Sequence, residues 1–199
     1  MKKSRLEAFS DGVFAILITI LVLELRAPHA FTLAALREVL PSFLGYVLSF
    51  VFVGIYWNNH HHLLQLVETV DGRVLWANLG LLFHLSLIPF ATAWMGESEF
   101  APAPVALYGA LLFFAGLSYW VLAIVLQRLH PEDSALRRAL RDDRKEKTSL
   151  AAYAVATVAA WRWPWISCAL FVAIALLWLV PDLRIERALG GPGARAAGE

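Results

Sequence analysis

"RLEAFSDGVFAILITILVLEL", residues 5–25, decides how the whole chain is read. Between Asp11 and Glu24 it carries no charged side chain, and its run of isoleucine, leucine and valine suits a helix in hydrocarbon. Asp11 is the anomaly, because a carboxylate close to lipid is costly and is found where a protein partner satisfies it. Two readings stay open from these residues alone. In one, Ser10 or Asp11 caps a helix running from about Phe9 to Leu25. In the other, Asp11 reaches into neighbouring helices and holds this one in place.

Helical geometry constrains the choice. At about 100° per residue, Arg5, Phe9, Gly12, Ile16, Ile20, Leu23 and Ala27 fall on one stripe, with Thr19 on its flank. Asp11 lies about 140° around the helix from Ile16, and Ser10 is also off the stripe. A stripe that faces a central axis therefore turns Asp11 elsewhere.

The rest of the chain has the same character. Its 199 residues are 59% hydrophobic and 17% charged, with a mean hydropathy of +0.62, whereas a soluble domain is about 45–50% apolar and about 25% charged. Charge gathers in short clusters between apolar runs, the pattern of an all-α polytopic membrane protein. Five further runs follow the first: "FLGYVLSFVFVGIYW" after Pro41, "LWANLGLLFHLSLIPFATAW", "VALYGALLFFAGLSYWVLAIVL", the small-residue-rich "SLAAYAVATVAAW", and "WISCALFVAIALLWLV" stopped by Pro181. Six spans result. Trp57, Trp76, Trp94, Trp161, Trp163, Trp165 and Trp178 near their ends fit an interfacial belt.

Loop charge sets the expected orientation. Lys2, Lys3, Arg5, Arg73, Arg128, Arg137, Arg138, Arg141, Arg144, Lys145, Lys147, Arg184, Arg187 and Arg195 share one side, against Arg26, Arg37 and Arg162 on the other. Both termini are expected in the cytoplasm of a prokaryote, with the protein in its plasma membrane. "MKKSR" imitates the start of a signal peptide, but "RAPHA" offers no clean cleavage site and Asp11 interrupts the apolar region, so the segment is expected to stay. The run "PEDSALRRALRDDRKEK" pairs Asp133 with Arg137, Arg138 with Asp142 and Asp143 with Lys147 at i,i+4, as a juxtamembrane helix near anionic headgroups does. Residues 1–189 read as one six-helix domain, and 190–199, rich in Gly and Ala, as a disordered tail.

Net charge of +1 gives no footing for a nucleic-acid partner, and Cys168, the one cysteine, forms no internal disulfide. In "WNNHHHLL", residues 57–64, consecutive helical positions point about 100° apart, so His60, His61 and His62 do not converge on one ion. No metal or other cofactor is expected. Walker A, HExxH, nucleophile-elbow and Rossmann patterns are all missing, which argues against an enzyme. Gly45-Tyr46 lacks the context of a carbonyl selectivity filter. Asp11, His60 and His84, as ionisable groups within spans, leave a second reading open, a proton-coupled secondary transporter. A small membrane enzyme or metal protein built on the histidines and a non-conducting assembly module are further alternatives.

The chain resembles prokaryotic members of the transmembrane protein 175 family of potassium channels. The R-x-x-x-F-S-D pattern at Arg5, Phe9, Ser10 and Asp11 carries the resemblance, with "GVFAI", a threonine and "LVLEL" after it. "YWNNHH", "LWANLGLLFHLSLIPF" with Asn78, Pro89 and Phe90, and the last apolar run add to it. The resemblance implies a homotetramer of six-helix subunits whose first helices line a pore, with potassium as permeant and no carbonyl filter. It implies an apolar constriction at Ile16, with Ile20 and Leu23 towards the outside, and a selectivity role for Thr19. It also implies a polar cluster joining Phe9, Ser10 and Asp11 to Arg5, Trp57, His60 and Asn78. No other protein partner is implied.

Overall fold

The computed structural model describes residues 3–28, 30–141 and 143–179. Among these, the chain forms α1 (Lys3–Leu23), α2 (Leu33–Glu38), α3 (Leu40–Gln65), α4 (Gly72–Ser86), α5 (Ile88–Glu97), α6 (Pro102–Leu129), α7 (Ala135–Ala139), α8 (Arg144–Ala159) and α9 (Pro164–Leu179). All six apolar runs are helical. α1, α3, the α4–α5 pair and α6 are long and apolar enough to cross a membrane; α8 has 16 residues and α9 has 16 among the described residues, against the roughly 20 that a span needs.

Three expectations are corrected. The first helix begins at Lys3 and ends at Leu23, so Ser10 and Asp11 sit in its third turn and cap nothing. Its polar start is helical because Lys3 pairs with Glu7 one turn on, at 3.5 Å, and Lys3 also donates to the Gln65 carbonyl at the end of α3. The third run is two helices. Pro89 has no N–H to give the Leu85 carbonyl, and the chain breaks at Leu87. The 131–147 run is not one helix either. α7 spans five residues, Arg137 reaches Glu132 at 3.6 Å instead of Asp133, and Arg138 bonds the Asp133 carbonyl. Asp143 and Lys147 do pair, at 2.8 Å, and these contacts hold the Asp143 carboxyl below the usual carboxylate range. The Arg138–Asp142 pair, Lys2, Pro181, the arginines from Arg184 on and the 189/190 boundary lie outside the described residues.

α6 is the central helix, packed by α4, α5, α8 and α9, while α3 bridges α1, α5 and α9. Buried polar groups fix the register. Ser49 of α3 meets Thr92 of α5 at 2.6 Å and Tyr108 of α6 at 2.9 Å, and Thr92 donates back to the Ile88 carbonyl at 2.7 Å, beside the break. His130, just past α6, holds the α3–α4 turn. Its Nδ1 donates to the Leu126 carbonyl at 2.8 Å, and its Nε2 accepts from the Glu68 N–H at 3.1 Å. Asp71 caps α4, accepting from the Arg73 and Val74 N–H groups; the Val74 bond first, then the Arg73 side chain, keep its carboxyl below the usual range.

Two glycines sit at close helix contacts. A Cβ on Gly96 of α5 would stand 2.6 Å from Ser42 Cα, and one on Gly109 of α6 would stand 2.7 Å from Thr157 Oγ1. Gly96→Ala is expected to push α3 from α5 and to destabilise the protein by about 1–3 kcal/mol, as overpacking does. Gly54→Ala, with nothing within 4 Å, is expected to be neutral. Thermal unfolding of the purified proteins measures both.

Candidate functional site

α1 packs against α3, α4 and α5 through Leu6, Ser10, Phe14, Leu17 and Leu21. These five recur at i,i+4 and i,i+3 and form one narrow seam. The opposite side is exposed among the described residues. Arg5, Phe9, Gly12, Ile16, Ile20, Leu23 and Ala27 are all exposed, Ile16 at 58% and Leu23 at 78%. Thr19 is exposed too, and its hydroxyl donates to the Ile16 carbonyl at 2.8 Å, which leaves the oxygen's lone pairs facing outward. Exposed positions occupy about half the helix circumference.

A hydrogen-bonded line crosses the seam. Asn78 of α4, fully buried, donates from Nδ2 to Ser10 Oγ at 3.0 Å, and its Oδ1 lies 2.7 Å from His60 Nε2 on α3. Because the amide oxygen only accepts, His60 carries its proton on Nε2 here. The His60 ring lies 5.6 Å from that of Phe14, inside the same seam. Three helices thus share one polar contact surrounded by apolar side chains.

Asp11 is outside this line. It is exposed, and its Oδ1 accepts from Trp57 Nε1 of α3 at 3.0 Å. The Trp57 ring stacks on His61, whose Nε2 meets Gln65 Nε2 at 2.8 Å. Arg5 and Phe9 are exposed, and Arg5 has no ion pair or hydrogen bond among the described residues. The structure therefore brings Ser10, Asn78 and His60 together, sets Asp11 and Trp57 beside them, and leaves Arg5 and Phe9 apart.

The three adjacent histidines turn to different neighbours: His60 to Asn78, His61 to Gln65, and His62 edge-on to His61 with its Nδ1 buried and unbonded. His84 stands elsewhere on α4. Its Nδ1 lies 2.8 Å from the Gly80 carbonyl and 3.0 Å from Ser118 Oγ, and its ring stacks on Phe114. Among the described residues no direct hydrogen bond links Asp11, His60 and His84. Ser49, Thr92 and His130 escaped sequence reasoning, because a lone hydroxyl or imidazole in an apolar run gives no sign of its partner.

A family model described as the endosomal/lysosomal potassium channel TMEM175 matches residues 5–89, from Arg5 through the break at Pro89. A potassium channel of Chryseobacterium sp. (strain P1-3) is 50% identical over 189 residues, covering 95% of this chain and 98% of that one. An endosomal/lysosomal proton channel TMEM175 of Gallus gallus is 32% identical over 66% of this chain and 30% of its own. Among solved structures, a lysosomal potassium-selective channel TMEM175 homolog from Chamaesiphon minutus aligns with a TM-score of 0.78 at 27% identity, covering 90% of this chain and 97% of that one. With its apolar helices, its exposed first-helix stripe and these relatives, the chain belongs to the TMEM175 family of membrane ion channels, which are not enzymes.

Proposed function

We propose that four copies of this chain form a passive, potassium-preferring cation channel in a prokaryotic plasma membrane, lined by α1. The exposed apolar stripe of α1 carries this reading. A helix that buries only a narrow seam in its own subunit and presents Ile16, Ile20 and Leu23 outward is incomplete alone. Around a fourfold axis, those side chains form stacked apolar rings that dewet when narrow and conduct when dilated. Thr19, one turn from Ile16, supplies the hydroxyl oxygen nearest the rings.

Beside the bulky stripe runs a small one, Ala8, Gly12, Ala15 and Thr19, all exposed, with open space around Gly12. Small residues let neighbouring helices approach closely in hydrocarbon, where packing rather than water exclusion drives association. Six crossings, with α8 and α9 as the shorter two, place both termini on the side richest in Lys and Arg, the cytoplasm. The Ser10–Asn78–His60 line then acts as an anchor. It fixes the rotation of α1 and hence which side chains face the axis.

Ile16→Asn in liposomes is expected to raise potassium flux or to weaken the preference for potassium over sodium. Flux and preference both unchanged would place the constriction elsewhere. Asn78→Leu leaves Ser10 and His60 buried without a partner, at about 1–3 kcal/mol for each group. It is expected to lower the melting temperature and the tetramer fraction, seen by size-exclusion with light scattering. Asp11→Ala is expected to reduce assembly more than it changes ion preference. A fully assembled Asp11→Ala tetramer with altered selectivity would show that Asp11 faces the ions.

A further inference from the structure

Residues 66–71, the turn between α3 and α4, are held by a side chain from the end of α6. Pro131 favours extended backbone in the residue before it, and His130 adopts it, at φ −110° and ψ 151°. α6 therefore stops at Leu129, and the Leu126 carbonyl is among its last four, which lack a donor within the helix. The His130 ring folds back to that carbonyl, with Nδ1 at 2.8 Å. A carbonyl only accepts, so the neutral ring carries its proton on Nδ1 and leaves Nε2 as a bare acceptor. Nε2 receives the Glu68 N–H at 3.1 Å and the Thr69 N–H at 3.5 Å. Among the described residues neither amide has a main-chain acceptor.

His130 is buried, and the charged groups near it in the chain are exposed or paired with one another. On the turn and the start of α4, Glu68 is exposed and Asp71 meets Arg73 at 2.9 Å. On α6 and just after it, Arg128 and Asp133 are exposed and Glu132 meets Arg137 at 3.6 Å. Among the described residues no carboxylate is hydrogen-bonded to the ring. A second proton would therefore set an Nε2–H against two N–H donors, with no anion in contact to compensate. Imidazole is the side chain whose charge ordinarily changes between about pH 5 and pH 8. The turn is also the joint of the two helices that hold α1. His60 lies eight residues before Glu68, Asn78 nine after Thr69, and the Gln65 carbonyl accepts from Lys3 at 3.4 Å.

We propose that His130 is a pH-sensitive positioning residue for α1. Neutral, it clamps the α3–α4 turn and keeps His60 and Asn78 in place against Ser10. Protonated, it releases the Glu68 and Thr69 amides, and the turn and α1 loosen together. The clamp holds at the alkaline end of the imidazole range and opens as pH falls through it. In the orientation proposed above this end of the bundle faces the cytoplasm, so the clamp answers to cytoplasmic pH. Its effect on conduction rests on the proposed channel; the clamp itself does not.

Hydrogen exchange of the purified full-length protein in nanodiscs, read by mass spectrometry at about pH 8 and about pH 5 and corrected for the intrinsic rate, tests this. Peptides over residues 66–71 are expected to exchange about tenfold faster at the lower pH, and peptides around Ser10 to follow. His130→Gln, which keeps an acceptor but does not titrate, is expected to lose this pH dependence. The other histidines change charge in the same range, so a dependence that survives in His130→Gln belongs to them and overturns the proposal. A turn equally protected at both pH values in wild type overturns it too, and turn opening without change around Ser10 overturns the link to α1. If His130→Gln does not fold, His130→Asn, which keeps a donor for the Leu126 carbonyl, is read by the same criterion. In liposomes, potassium flux is expected to change severalfold between the two pH values in wild type and not in His130→Gln. Absence of flux at both would count against the channel, and exchange would still decide the clamp.

Discussion

Asn78 is the residue on which the arrangement of the first helix depends. In hydrocarbon no water is at hand to satisfy a polar side chain, so each one must meet a protein partner or be absent. An amide meets this condition in two directions at once, donating to Ser10 and accepting from His60. Because the two bonds are made at one point on α4, they set the height and rotation of α1 and α3 together. The apolar seam of Leu6, Phe14, Leu17 and Leu21 fills in around them. Apolar packing tolerates some sliding, whereas a buried hydrogen bond at 2.7 Å does not.

The same condition explains the broken third run. Pro89 removes the donor for one main-chain carbonyl, and in water that loss would be made good by solvent. Here the polar side chains cluster just past the break. Thr92 returns its hydroxyl to the Ile88 carbonyl and meets Ser49, which in turn meets Tyr108. The break is thereby held by α3 and α6, which accounts for its place in the core instead of at a frayed end.

How far this was legible in the sequence follows from what each signal measures. Hydropathy reports preference for an environment, so every apolar run became a helix, but it does not report whether a helix continues through a proline. The groups that hold the break through Thr92 are remote from it in sequence, Ser49 lying 43 residues before Thr92 and Tyr108 lying 16 after it. Capping preference is local, and it failed at Ser10 and Asp11 because Lys3, Glu7 and Gln65 extend α1 by two turns. The i,i+4 charge pattern across 131–147 presumed a continuous helix; a five-residue α7 left Arg137 to find Glu132. Arg5 entered the polar cluster by resemblance alone, and its side chain is exposed. The angular separation of Asp11 from Ile16, in contrast, follows from helix geometry, and Asp11 bonds Trp57 at one edge of the exposed arc of α1.

Within that arc the sequence is apolar on nearly every side, so hydropathy does not distinguish a lipid face from a subunit contact or a pore wall. Size does. The small edge, Ala8, Gly12, Ala15 and Thr19, and the bulky edge, Phe9, Ile16, Ile20 and Leu23, are centred about 80° apart. In the proposed tetramer the small edge meets the neighbouring copy, where close approach is the source of affinity. The bulky edge is then turned to the axis, where it narrows the path. Asp11 lies about 150° from the centre of the bulky edge, beyond the small one. A carboxylate placed there steadies the helix through Trp57 without putting fixed charge among the bulky side chains, so in the proposed channel a barrier at Ile16 would arise from dewetting and not from a binding site.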